Sequence, residues 1–237
     1  MNAPPRLPAI DRRYLNRLTQ APEPRGAVVV IDVLRSFSTA AWALGWGAAC
    51  LLPVATASEG FALQRQLPEA LLVGAVGGGA AIPGYDFGNS PSQLQGADLQ
   101  GRTLIHCTAA GVRGLQRFQA APLLFGSGLV TARATAEAIL AAGVDQVTLV
   151  ITGEWVDRDG DEDAACADYL EALLRGRDPD PEPYAERVRQ SDFGRRFGAP
   201  DQPHLPLADL ELCAAVDRFP FALRARPSPF GLRLGAA

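Results

Sequence analysis

Lysine is missing from all 237 residues, so every one of the 22 cationic side chains is arginine. That removes Schiff-base chemistry and the lysine of a P-loop together. Cysteine is sparse, and Cys50, Cys107, Cys166 and Cys213 stand far apart without a CxxC spacing. They indicate neither a zinc site nor a disulfide framework and read as buried small hydrophobes. No apolar run approaches the roughly 20 residues that cross a bilayer, so no membrane partner is expected. Prolines interrupt the N-terminal stretch where a signal peptide needs a continuous apolar segment, and a cytoplasmic protein is expected. The net charge of −4 comes with no basic stretch able to follow a phosphate backbone, which argues against nucleic acid. Internal repeats and low-complexity tracts are absent as well.

What is there is an ordinary globular composition, 48% hydrophobic and 20% charged, long enough to bury a large core. After a lead-in punctuated by Pro4, Pro5, Pro8, Pro22 and Pro24, short β-branched runs alternate with longer alanine- and leucine-rich stretches. This predicts an α/β fold, a mixed, mostly parallel sheet flanked by helices in an α/β/α arrangement. Strands are expected near Ala27–Asp32, Cys50–Val54, Ala70–Val73, Thr103–Cys107, Leu123–Phe125 and Gln146–Ile151. Helices are expected near Ser36–Trp46, Ser58–Gln66, Pro91–Leu94, Gly111–Phe118, Thr131–Ala142 and Asp161–Leu174, the last two carrying the clearest helical period. Residues 1–175 form the main region. Residues 176–237 begin with a proline-rich linker and read as a small helical and strand appendage packed on the same domain. The apolar segment from Phe219 to Leu234 suggests an added edge strand, and association of identical copies through it is left open.

In open α/β sheets ligands sit beyond the carboxyl ends of the strands. Four loops there carry chemistry. In "VVVIDVLRSFSTA" Asp32 closes a strand and Arg35, Ser36, Ser38 and Thr39 precede or begin a helix; a carboxylate so placed can hold Mg²⁺ or attack phosphorus, or merely order the turn. The dehalogenase-type Asp-x-Asp-x-Thr pattern is excluded because its second acid falls on Leu34. The loop Gly74–Pro91 is glycine-dense, lacks a complete P-loop or GxGxxG fingerprint, and puts Asp86 and Asn89 beside Ser90, a helix cap before Pro91. The third loop runs from His106 into a helix at Gly111, with Arg113 as a fixed cation; His106 reads as a satisfied strand-end histidine, and His204 is left aside. The fourth holds six acids between Glu154 and Asp163 without EF-hand spacing. Acids in a first helical turn complement the dipole without any metal, but if Glu162 or Asp163 meets Asp32 a divalent cation neutralises them naturally.

Together these segments resemble the 2-phosphosulfolactate phosphatase family, through "VIDVLRSFST", "IPGYDFGNSP", "GVRGL" and "EDAACA", over roughly Ala27 to Leu174. The resemblance implies a Mg²⁺-dependent phosphomonoesterase acting on 2-phospho-3-sulfolactate or a related small anionic phosphate ester. Carried over by position, it selects Asp32, Arg35 and Arg113 as catalytic, Ser36, Asp86, Asn89, Ser90 and Gly111 as substrate-binding, and Asp32, Glu162 and Asp163 as metal ligands. Two stretches depart from the family pattern. Ala75 and Val76 replace a glutamate and an arginine, and Ala109, Ala110 and Val112 replace a threonine, an asparagine and a threonine. The other reading is therefore a binding protein that has lost turnover, and a nucleotide-binding domain is a third, disfavoured by the incomplete phosphate loops.

Overall fold

The computed structural model describes residues 7–19, 23–77, 79–156 and 158–237. Pro4, Pro5 and Pro22 of the lead-in, Gly78 of the glycine-dense loop and Asp157 of the acidic loop lie outside the described residues. In chain order the elements are β1 (Ala9–Tyr14), β2 (Ala27–Ile31), α1 (Ser36–Gly45), β3 (Cys50–Val54), α2 (Ala57–Gln64), β4 (Leu71–Gly74), α3 (Pro91–Leu94), β5 (Thr103–Cys107), α4 (Gly111–Arg117), β6 (Leu123–Ser127), α5 (Ala132–Ala141), β7 (Gln146–Ile151), α6 (Asp161–Leu174), α7 (Glu182–Gln190), α8 (Leu207–Ala214), β8 (Leu223–Ser228) and β9 (Gly231–Ala236).

All strands join one sheet in the order β1-β7-β2-β6-β8-β9-β3-β5-β4. Four of them, β1, β7, β2 and β6, pair in parallel, and so do β3, β5 and β4. The hairpin β8–β9 joins these groups through antiparallel pairs on both sides. In β2, Ala27, Val29 and Ile31 pack into the cluster with α5 and α6, while Val28 and Val30 face the cluster containing α1 and α4. Burial on both faces explains a run of uninterrupted apolar residues where a half-exposed strand would alternate. The smaller group behaves alike: Leu51 and Leu104 face the α1 side, and Leu52, Val54 and Ile105 pack with Leu63 of α2.

Two parts of the expectation change. The C-terminal strands are central rather than at an edge, and their Leu223, Ala225, Leu232 and Leu234 are buried within the fold. An unexpected strand, β1, lies on the edge beside β7; its sequence AIDRRY is largely polar, and Arg12 bonds Asp168 and Glu171 on α6. All four cysteines are free and buried, as expected. Among the described residues no helix is long and apolar enough to cross a membrane.

Candidate active site

The loops after β2 and β7 meet those after β4 and β5 around a cavity of about 320 Å³. Asp32 lines it. Its Oδ1 accepts from the Ser36 amide at 3.1 Å and its Oδ2 from the Gly111 amide at 2.8 Å, so one carboxylate ties the first turn of α1 to that of α4. The Ser36 hydroxyl reaches Thr108 Oγ1 at 2.9 Å and adds a second tie between the same loops. A Cβ at Gly111 would sit 3.0 Å from Asp32 Oδ2 and 2.8 Å from Ser36 Oγ, which is why glycine opens that helix.

From α6 come Glu162 and Asp163, both buried. The helix starts after Gly160, whose φ of 70° turns the chain so that the acids face inward rather than into solvent. Asp163 accepts three backbone amides: Val33 at 2.8 Å on Oδ1, and Thr152 at 3.1 Å and Gly153 at 2.7 Å on Oδ2. It locks the ends of β2 and β7 together. Glu162 differs, for its Oε2 is buried without a hydrogen-bond partner among the described residues. A Cβ at Gly153 would lie 2.6 Å from Glu162 Oε1 and 3.1 Å from Asp163 Oδ2, so a larger residue there would have to displace these carboxylates.

Burial pushes all three carboxyls above their ordinary range. Asp32 is raised by desolvation, opposed by the Ser36 and Gly111 amides and by Arg158 and Arg35. Glu162 is raised to about 7 by desolvation, with repulsion from Asp32 adding and Arg158 opposing. Asp163 is raised by desolvation, then by Glu162 and Asp32. Three acids that repel one another out of water form a site that favours a cation. Among the described residues no three His, Cys, Asp or Glu side chains already stand as a ligand set. The donors still fit a hard divalent ion: Glu162 Oε2 is unbonded, and each Asp32 oxygen takes one amide and keeps a lone pair.

Arg35 and Asn89 line the same cavity. The Asn89 Oδ1 lies 3.2 Å from His106 Nε2, and burial lowers His106 to about 4, so the ring stays neutral and structural as its strand-end position suggested. Other expected residues stand elsewhere. Gly111 spends its amide on Asp32. Asp86 is exposed and accepts from the Leu72 amide at 2.7 Å, Ser90 caps α3 and donates to Asp209 at 2.9 Å, and Arg113 is exposed on α4; none of these three is among the residues lining the cavity.

Cationic lining that the sequence did not single out comes from Arg158 and Arg196, which flank the Phe193 ring with guanidinium carbons 4.4 and 5.8 Å from its centroid. Arg158 was hidden by the acids around it, although a lone arginine inside an acidic loop after a strand is itself a signal. His204, set aside in the sequence, also borders the cavity.

A family model described as 2-phosphosulpholactate phosphatase matches residues 14–195. The chain is similar to a probable 2-phosphosulfolactate phosphatase of Bacillus subtilis, 32% identical over 186 residues, covering 78% of this chain and 80% of the relative. It is also similar to proteins of the same description from Carboxydothermus hydrogenoformans, 39% identical over 62% of this chain and 60% of the relative, and Caldicellulosiruptor saccharolyticus, 35% identical over 64% of each. The matched segment thus spans about three fifths of two of these relatives and four fifths of the third.

Proposed function

Because the chain belongs to the 2-phosphosulfolactate phosphatase family, we propose that it hydrolyses 2-phospho-3-sulfolactate, or a related small anionic phosphate monoester, to the alcohol and inorganic phosphate with Mg²⁺. The observation that supports this best is the meeting of Asp32, Glu162 and Asp163 with Arg35 and Arg158 around one cavity. Asp32 and Glu162 would hold the cation; Asp163, already bonded to three amides, shapes the site around them. When bound, Mg²⁺ supplies charge neutralisation at the transferring phosphoryl group. Arg35 and Arg158 bind phosphoryl oxygens and oppose the charge that builds there. Asn89, held through its Oδ1 by His106, turns its amide toward the substrate. Phe193 and Trp155 form an aromatic wall that limits water around the ester. The net reaction breaks the phosphorus–oxygen ester bond, delivers water's oxygen to phosphorus and returns a proton to the alcohol. The protein acts in the cytoplasm, in keeping with its free cysteines.

A second reading, binding without turnover, draws on Ala75, Ala109 and Ala110, which put methyl groups on the cavity wall. One assay separates the two: phosphate release from phosphosulfolactate and a panel of small phosphomonoesters, with Mg²⁺ and with a chelator. Release that needs Mg²⁺ is expected; background release from every ester would leave only the binding reading.

A further inference from the structure

Arg35 reaches the cavity from a surrounding built almost wholly by the chain that follows the family-matched segment 14–195. Its Nη1 donates to Asp209 Oδ2 on α8 at 2.5 Å and to the His204 carbonyl at 3.1 Å, and its guanidinium carbon lies 5.5 Å from the Phe197 ring centroid. Asp209 is 0% exposed and is shared. Its other oxygen accepts from the Ser90 hydroxyl and the Ser92 amide, both at 2.9 Å, at the start of α3. One carboxylate therefore joins the loop carrying Arg35 to the loop carrying Asn89, the neighbour of Ser90. The bonds to Asp209 and His204 use both Nη1 hydrogens, and among the described residues Nη2 makes only a long 3.5 Å contact with the Gly79 carbonyl. Among the described residues Nε makes no hydrogen bond.

We propose that Asp209 is a positioning residue for phosphoryl binding: it fixes the Arg35 guanidinium with its Nε and Nη2 edge toward the cavity, and sets that edge relative to Asn89. The proposal rests on the phosphatase reading above. A buried arginine without its carboxylate would turn toward other carbonyls or draw in water, because unpaired buried charge is costly. Asp209 touches no substrate and acts through Arg35.

The test uses the full chain with Mg²⁺, inorganic phosphate as the probe in calorimetry, and kcat and KM on the best ester of the panel. Asp209→Asn keeps an acceptor for Ser90 and Ser92 but removes the charge from Arg35. It is expected to weaken phosphate binding about tenfold or more and to raise KM more than it lowers kcat. Phosphate affinity and KM within twofold of the parent would overturn the proposal. If Asp209→Asn fails to fold, Arg35→Met is compared with Arg35→Met/Asp209→Asn, where both charges are gone. Equal kcat/KM in these two supports action through Arg35, whereas a further tenfold loss in the double variant overturns it. A parent protein that neither binds phosphate nor releases it would instead remove the phosphatase reading, so the two failures are distinct.

Discussion

Glu162 is 2% exposed, with one carboxylate oxygen unbonded among the described residues and a carboxyl that burial pushes up to about 7. Its folded value lies above the ordinary 4.5, so the folded state holds the proton more tightly than the unfolded chain. The stability this gives is complete below about pH 4.5 and is lost as pH rises to 7, on the order of 3 kcal/mol in all. In chelator, the melting temperature should therefore fall between pH 5 and pH 8, and Glu162→Gln should flatten that fall and melt about 5 °C or more above the parent at pH 8. The same variant should lose about a hundredfold or more in phosphate release, which is the stability cost of a working site made visible. An equal pH slope in parent and variant would show that Glu162 does not titrate in this range. At this scale the sequence was informative about acids and poor about their partners. Asp32, Glu162 and Asp163 follow strands or start helices and so could be picked by position. Asp209 lies within an amphipathic helix with nothing to distinguish it from a surface acid, and only tertiary packing turns it inward to Arg35.

Elements with both faces buried were the legible ones. β2, β3, β5 and β7 are short apolar runs, and α6 has helical spacing with its acids in the first turn, so their ends fall within a residue or so of expectation. β1 was not legible, because an edge strand carries Asp11, Arg12 and Arg13 and gains its place from pairing with β7. β8 and β9 were legible as apolar chain but not as to where they insert. Leu234 shows why they hold: it is fully buried, pairs with Ala225 across the hairpin and meets Leu51 of β3. Leu234→Ala should cost about 2–5 kcal/mol in urea unfolding, through lost burial and the cavity left behind. A loss under about 1 kcal/mol would mean that the contact with β3 is loose.

Across the whole molecule, the composition and alternation of segments gave the α/β class, but strand order depends on pairings distant in sequence and left no local trace. The site depends on that order, since Asp32 and Arg158 come from one parallel group and Asn89 and Thr108 from the other. Removing residues 219–237 should therefore abolish a cooperative thermal transition followed by circular dichroism, although every residue proposed to touch substrate remains. A cooperative melt in the shortened chain would mean that the helices and loops crossing between the two groups, Asp209 on α8 among them, hold them together without the hairpin. The same placement sets a schedule for biosynthesis. The hairpin that bridges the two groups follows β1 to β7 along the chain, so both groups leave the ribosome before the strands that pair with them.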